Sequence, residues 1–197
     1  LQLLALKEQG VCEFEVPELL FDLDYPSHYF RRVRSLSVSI PCVAGPYEPV
    51  SCTVRMLRHE TRIRQDLAGR PYARTGDNDD RFIVSYAIAD AVATSSARDD
   101  AGVFELNARD ERYLPCEGAG AVARYRVELN APWPRFDHQS ITDVVLHIRY
   151  SAREAGQVFR DAAVASARQT LAALTVESKA PLMRLFSVRH EFPEQWA

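Results

Sequence analysis

The chain has 197 residues, 47% of them hydrophobic and 26% charged, with 8 Gly, 11 Pro and a formal net charge of -3. That profile excludes collagen-like, mucin-like and wholly disordered chains, and at roughly 150 residues per domain the length fits one domain, or one with a long appendage. An acidic balance with no block of basic residues gives no electrostatic case for naked nucleic acid or an anionic membrane surface.

No run of eighteen apolar residues occurs, so no segment reads as a membrane-spanning helix. The chain opens at Leu1-Gln2-Leu3 without an initiator Met or a basic leader. It reads as a piece of a longer polypeptide, with any targeting signal lying elsewhere. All basic residues but Lys7 and Lys179 are arginines, the residue of bidentate pairs and partner interfaces.

In chain order, a short helix is expected at Leu3 to Gln9. Cys12, Phe14 and Val16 then alternate with Glu13 and Glu15, the period of a half-buried strand. Phe21 to Tyr25 reads as extended, and His28 stands in a turn. Leu36, Val38 and Ile40 alternate with serines, and Cys52, Val54 and Met56 resume the pattern after the turn Gly45-Pro46-Tyr47-Glu48-Pro49. Asp66 to Asp80 is a long polar loop. Arg81 to Tyr86 and Ile88 to Thr94 are further strand candidates, followed by a second loop ending at Asp100.

Gly118-Ala119-Gly120-Ala121 reads as a tight bend leading into a strand at Ala123 to Leu129. The alternation is clearest where Val144, Leu146, Ile148 and Tyr150 face away from Val145, His147 and Arg149. Ser151-Ala152-Arg153-Glu154 matches a capping box and predicts a helix over about 153–174. A last strand is expected at about 182–189. The whole, residues 1–197, is expected to be a single mainly β domain. Its predicted fold is an antiparallel β-sandwich of about seven or eight short strands with one long helix near the C-terminus.

The four cysteines, Cys12, Cys42, Cys52 and Cys116, contain no CxxC pair. Buried thiols and a disulfide between Cys42 and Cys52 both fit the spacing. No metal or cofactor is expected. Asp77-Asn78-Asp79-Asp80 lacks the distal Glu and the ligand spacing of a calcium loop and reads as a solvated turn. Asp22 and Asp24, and Asp110-Glu111 between Arg109 and Arg112, are the acid pairs. Flanking arginines lower carboxyl pKa values, the wrong direction for a hydrolase acid. GxSxG, HExxH and P-loop patterns are absent, and His28 and His147 read as structural. The chain is expected not to be an enzyme.

Three stretches carry a longer signal. Phe21-Asp22-Leu23-Asp24-Tyr25-Pro26-Ser27-His28-Tyr29-Phe30-Arg31-Arg32 runs on to Ile40-Pro41-Cys42-Val43-Ala44-Gly45-Pro46-Tyr47. Then come Ala101-Gly102-Val103-Phe104-Glu105-Leu106-Asn107, Arg109-Asp110-Glu111-Arg112-Tyr113-Leu114-Pro115 and Glu117-Gly118-Ala119-Gly120-Ala121. Last are Phe136-Asp137, Ile141-Thr142-Asp143-Val144-Val145-Leu146-His147-Ile148-Arg149-Tyr150 and Ala152-Arg153. Together, from about residue 10 to residue 156, they resemble the C-terminal TcB-binding domain of the TcA subunits of bacterial insecticidal toxin complexes, the Tc toxins.

The resemblance implies a non-catalytic docking platform. In that family, TcA pentamers form a translocation channel, and their C-terminal domains receive the β-propeller of a TcB cocoon subunit so that the toxic cargo enters the channel. The implied partners are a TcB-type β-propeller and neighbouring TcA protomers, with no nucleic acid and no direct membrane contact from this fragment. The implied setting is secretion within a larger toxin subunit. The family motifs assign no contact residues. Loops that present Arg and aromatics on a rigid scaffold nominate Pro46, Tyr47, Arg70, Tyr72, Arg74 and Arg81. The alternative is a carbohydrate-binding β-sandwich module using Trp133 and Tyr72 as sugar platforms.

Overall fold

Alternating apolar residues build the longest strand, β3 (Val50–Arg62), whose Val50, Cys52, Val54 and Met56 are all buried. The computed structural model describes residues 2–43, 50–67, 69–86, 89–95, 116–129 and 136–178, and the side chains of all but 89–95 and 175–178. Preceding β3 are α1 (Gln2–Gln9), β1 (Val11–Val16), α2 (Glu18–Asp24) and β2 (His28–Ser39). After it come β4 (Phe82–Ser85), β5 (Ala89–Ser95), β6 (Val122–Leu129), a 3-10 turn at His138–Ser140, β7 (Val145–Glu154) and α3 (Gln157–Ser178).

These strands form two antiparallel sheets. The larger has the order β1-β6-β3-β4, with β5 also pairing with β3, and the smaller is the ribbon β2-β7. On one edge of β3, residues 50–56 take β5 and residues 59–62 take β4, while β6 lies along the other edge. One hydrophobic core draws on both sheets: Val33, Leu36, Val38 and Ile40 of β2 with Val54, Met56, Tyr125 and Val127 of the larger sheet. Leu6 of α1 and Phe21 of α2 complete it.

The fold is therefore mixed and strand-rich, with three α-helices where one long one and one short one were expected. Two strands are long, 12 residues in β2 and 13 in β3. Phe21 to Tyr25 is not extended: residues 18–24 form α2, so Asp22 and Asp24 do not share a face. His28 opens β2 and is not in a turn. The capping-box residues Ser151 to Glu154 continue β7, because Ser151, Arg153 and Glu154 pair with Arg32, Tyr29 and His28. Gly156, at φ +84, turns the chain, and the predicted helix at 153–174 is α3 at Gln157–Ser178. The expected strand at 182–189 and the Arg109–Arg112 corner lie outside the described residues.

All four cysteines are free thiols, and burial pushes each above its ordinary pKa, Cys52 to about 11. Among the described residues no helix is long and apolar enough to cross a membrane.

Candidate functional site

The polar segment between β3 and β4 was nominated for contact because it is long and rich in Arg. Its order comes from ion pairs within the segment and from hydrogen bonds and ring contacts to other elements. β3 ends in Arg62, whose side chain is 1% exposed. The guanidinium lies 4.4 Å from the ring centre of Tyr72, 4.2 Å from Phe82 and 5.3 Å from Phe159 of α3. Aromatic faces attract a desolvated cation. Its Nε and Nη2 donate to the Glu18 carboxylate of α2 at 3.2 Å each, and Nη2 also donates to the Tyr72 carbonyl at 2.6 Å.

Glu18 reaches a second arginine. Arg31 of β2 donates to Glu18 at 3.2 Å and to Asp22 at 2.6 Å. The Tyr72 hydroxyl closes the cluster by donating to both oxygens of Asp22, at 3.0 and 2.9 Å. Two arginines thus balance two carboxylates. Burial, with Glu18 adding to it, pushes the Asp22 carboxyl up to about 6 against the pull of Arg31 and Tyr72.

The loop has its own lock. Arg81, fully buried, donates through Nη2 and Nε to Asp79 at 2.6 and 2.9 Å and through Nη1 to the Pro71 carbonyl at 2.8 Å. Those bonds hold the Asp79 carboxyl far below the usual carboxylate range. The run Asp77 to Asp80 is therefore only partly a solvated turn, since Asp79 sits inside and Thr75 N–H donates to it at 3.1 Å.

A cleft of about 370 Å³ opens between α2, β3, this loop and α3, with Glu15, Glu18, Asp22, Glu60 and Asp77 on its walls. Each of these acids is engaged by an arginine: Glu15 and Glu60 by Arg58, Glu60 and Asp77 by Arg74, and Glu18 and Asp22 by Arg31. Asp22, whose carboxyl is pushed up to about 6, is 5% exposed and occupied by Arg31 and Tyr72. A hydrolase acid must touch its substrate, and Asp22 has no free edge to do so. Among the described residues no group of His, Cys, Asp and Glu has the geometry of a metal site.

The nominated contact residues separate accordingly. Arg70 and Arg74 are half-buried, with side chains 34% and 18% exposed, paired to Asp80 and to Asp77 with Glu60. Tyr72 and Arg81 are interior residues that shape the loop, because their polar ends are consumed by Asp22, Asp79 and Pro71. Pro46 and Tyr47 lie outside the described residues, as does Trp133. The sequence nominated none of Glu18, Arg31 and Arg62 for this cluster, while Phe159 falls on the apolar face of the helix expected at about 153–174. Arg62 shares the even-numbered parity of Val54 and Met56, but a bulge between Met56 and Arg58 reverses the alternation, so parity gives no signal for its burial. Arg31 carried none either, because a bulge between Tyr29 and Arg32 breaks the alternation.

Residues 1–152 match the family described as the Tc toxin complex TcA C-terminal TcB-binding domain. The chain is 32% identical over 161 residues to toxin subunit YenA2 of Yersinia entomophaga, a match covering 80% of this chain and 12% of that protein. A cryo-EM structure of Yersinia pseudotuberculosis TcaA-TcaB is similar over 73% of this chain and 7% of that one, at 23% identity and a TM-score of 0.41. The chain thus spans about an eighth of the length of the curated relative, and α3 lies beyond the family match.

Proposed function

The chain belongs to the family of TcA C-terminal TcB-binding domains of Tc toxin complexes, and from that premise we propose that it is a non-catalytic docking platform for a TcB-type subunit. The family match over residues 1–152 carries the reading. In it, the β-propeller of the TcB-type partner seats on this domain, and seating lets the toxic cargo pass into the channel of the parent TcA subunit. Neighbouring TcA protomers would flank the domain in the assembled channel, and the parent subunit would be secreted. The internal pairing of the cleft carboxylates supports a binding role over a hydrolytic one.

The contact candidates of this reading are Pro46, Tyr47, Arg70 and Arg74, with Tyr72 and Arg81 holding the loop in shape. The sugar-binding alternative loses one of its two platforms, since the Tyr72 ring is 7% exposed and stacked on Arg62. Calorimetric titration of the 197-residue chain with a TcB-type β-propeller from the same source tests the proposal. Saturable binding, with none to an unrelated propeller, is the expected result. Absence of binding by a folded chain overturns it.

A further inference from the structure

Most arginines of the described residues have a carboxylate partner within the chain, and those that do not are gathered in two places. Arg160 and Arg168 lie exposed on α3. The others stand together on the outer face of the β2-β7 ribbon. Arg32, Arg149 and Arg153 are exposed and have no carboxylate partner among the described residues. Arg34, 66% exposed, has Glu117 at 3.7 Å as its one carboxylate partner among the described residues.

Strand register puts these side chains on one face. Arg32 pairs with Ser151, Ser35 with Arg149 and Tyr29 with Arg153, while the alternate pairs Val33 with Tyr150 and Leu36 with Ile148 face the core. Arg34 sits at the register shift between Val33 and Ser35.

Two of the arginines are brought close to each other on purpose-built footing. Phe30 adopts φ 54, an uncommon conformation for a bulky side chain. Its ring receives Arg153 at 4.3 Å and Arg32 at 5.4 Å from its centre. Arg32 is further fixed by donating from Nε to the Gly118 carbonyl at 2.8 Å. Two like charges on one ring repel each other, and a carboxylate brought up to them relieves that repulsion. Because the pair is held in place beforehand, the entropic cost of ordering it on binding is small.

We infer that the outer face of the β2-β7 ribbon, centred on Phe30, Arg32 and Arg153 with Arg34 and Arg149, is the surface that receives carboxylates of the TcB-type partner. The assignment rests on the docking reading above and gives it a place and a chemistry: an acidic protein surface, met by arginines of which Arg32, Arg149 and Arg153 have no carboxylate partner among the described residues. The loop carrying Arg70 and Arg74 is the weaker site for such a partner, because Asp80, Asp77 and Glu60 already occupy its guanidiniums.

The test compares three chains in titration against the TcB-type propeller: wild type, the double variant R149E/R153E and the control R160E/R168E, which changes net charge equally on α3. Arg32 is left in place because it also secures Gly118. The ribbon variant is expected to weaken binding about 10-fold or more, and the α3 control to stay within about twofold. Wild-type affinity is expected to fall as salt rises, with a shallower slope for the ribbon variant. R149Q/R153Q, which removes charge without reversing it, serves if the reversal variant fails to fold, with a smaller loss of the same kind. Equal binding by wild type and a folded ribbon variant overturns the ribbon assignment and leaves the docking reading standing. No binding by the wild-type chain overturns both.

Discussion

Asp22 shows how far a buried side chain can depart from its solution behaviour while remaining structural. Its carboxyl is pushed up to about 6 by burial and by Glu18, while Arg31 and Tyr72 pull the other way and lose. The folded chain therefore keeps this proton to a higher pH than the unfolded chain, in which an aspartate titrates near 3.9. Stability drawn from this group is fully present below about pH 4 and is lost as pH rises through about 6. Replacing Asp22 by Asn keeps an acceptor for the Tyr72 hydroxyl and removes the titration. Glu60, raised by burial, and His59, lowered by burial, act in both chains and cancel in the difference. The stability of wild type relative to D22N should fall by roughly 2 to 3 kcal/mol between about pH 4 and pH 7. Urea denaturation at a series of pH values reads it directly, and a pH-independent difference would show that the cluster, not Asp22, sets the proton affinity.

At the scale of elements, α3 is held by few residues. Phe159 and Ala163 are buried with Tyr72, and Ala162 and Tyr29 pack at the edge of that small cluster. The Phe159 ring meets Tyr72 at 5.2 Å and Tyr29 at 6.0 Å and covers Arg62. Removing it takes away apolar burial and one wall of a desolvated guanidinium at the same time. F159A should cost about 3–5 kcal/mol, whereas L174A, at a position 49% exposed, should stay within about 0.5 kcal/mol. Equal small effects in thermal or urea unfolding would mean that α3 contributes nothing to the stability of the rest.

The helix itself was legible from the spacing of Phe159, Ala163 and Ala167, which the structure buries. Its start was not. Ser151 to Glu154 has the side chains of a capping box and the backbone of a strand, and only pairing with residues more than a hundred positions earlier decides between them. The short apolar run containing Phe21 is ambiguous for the same reason. The loop at 66–80 was legible as a loop, yet Asp79 and Arg81 were taken for solvent-facing residues. The inner network beside them draws on strand end, α2 and α3, partners as far as 50 residues apart in hydrogen-bonded pairs.

For the whole molecule, the junction between the two sheets decides whether they behave as one cooperative unit. Residues 118–121 run between them. Val33 N–H donates to the Ala119 carbonyl, Gly118 N–H to Val33 and Ala121 N–H to Arg31, while Gly120 N–H donates to His59 Nδ1 of β3. At Gly120 the backbone of β3 comes so near that an added Cβ would stand 2.1 Å from the Glu60 carbonyl oxygen and 2.6 Å from Thr61 Oγ1. The glycine is needed for this approach and not for its dihedral angles, since backbone cannot yield as a flexible side chain can. G120A must push the segment off β3 or off β2, at a cost of about 1–3 kcal/mol or more. The core contains residues of both sheets, so that cost should fall on both at once. Hydrogen exchange on G120A should lower the protection of ribbon amides such as Leu36 and Ile148 together with sheet amides such as Val54 and Val127. Loss confined to the ribbon would make it a separately unfolding unit. Its arginine face would then be presented by an element whose order depends on the partner, and the preorganisation argued for Arg32 and Arg153 would fail with it.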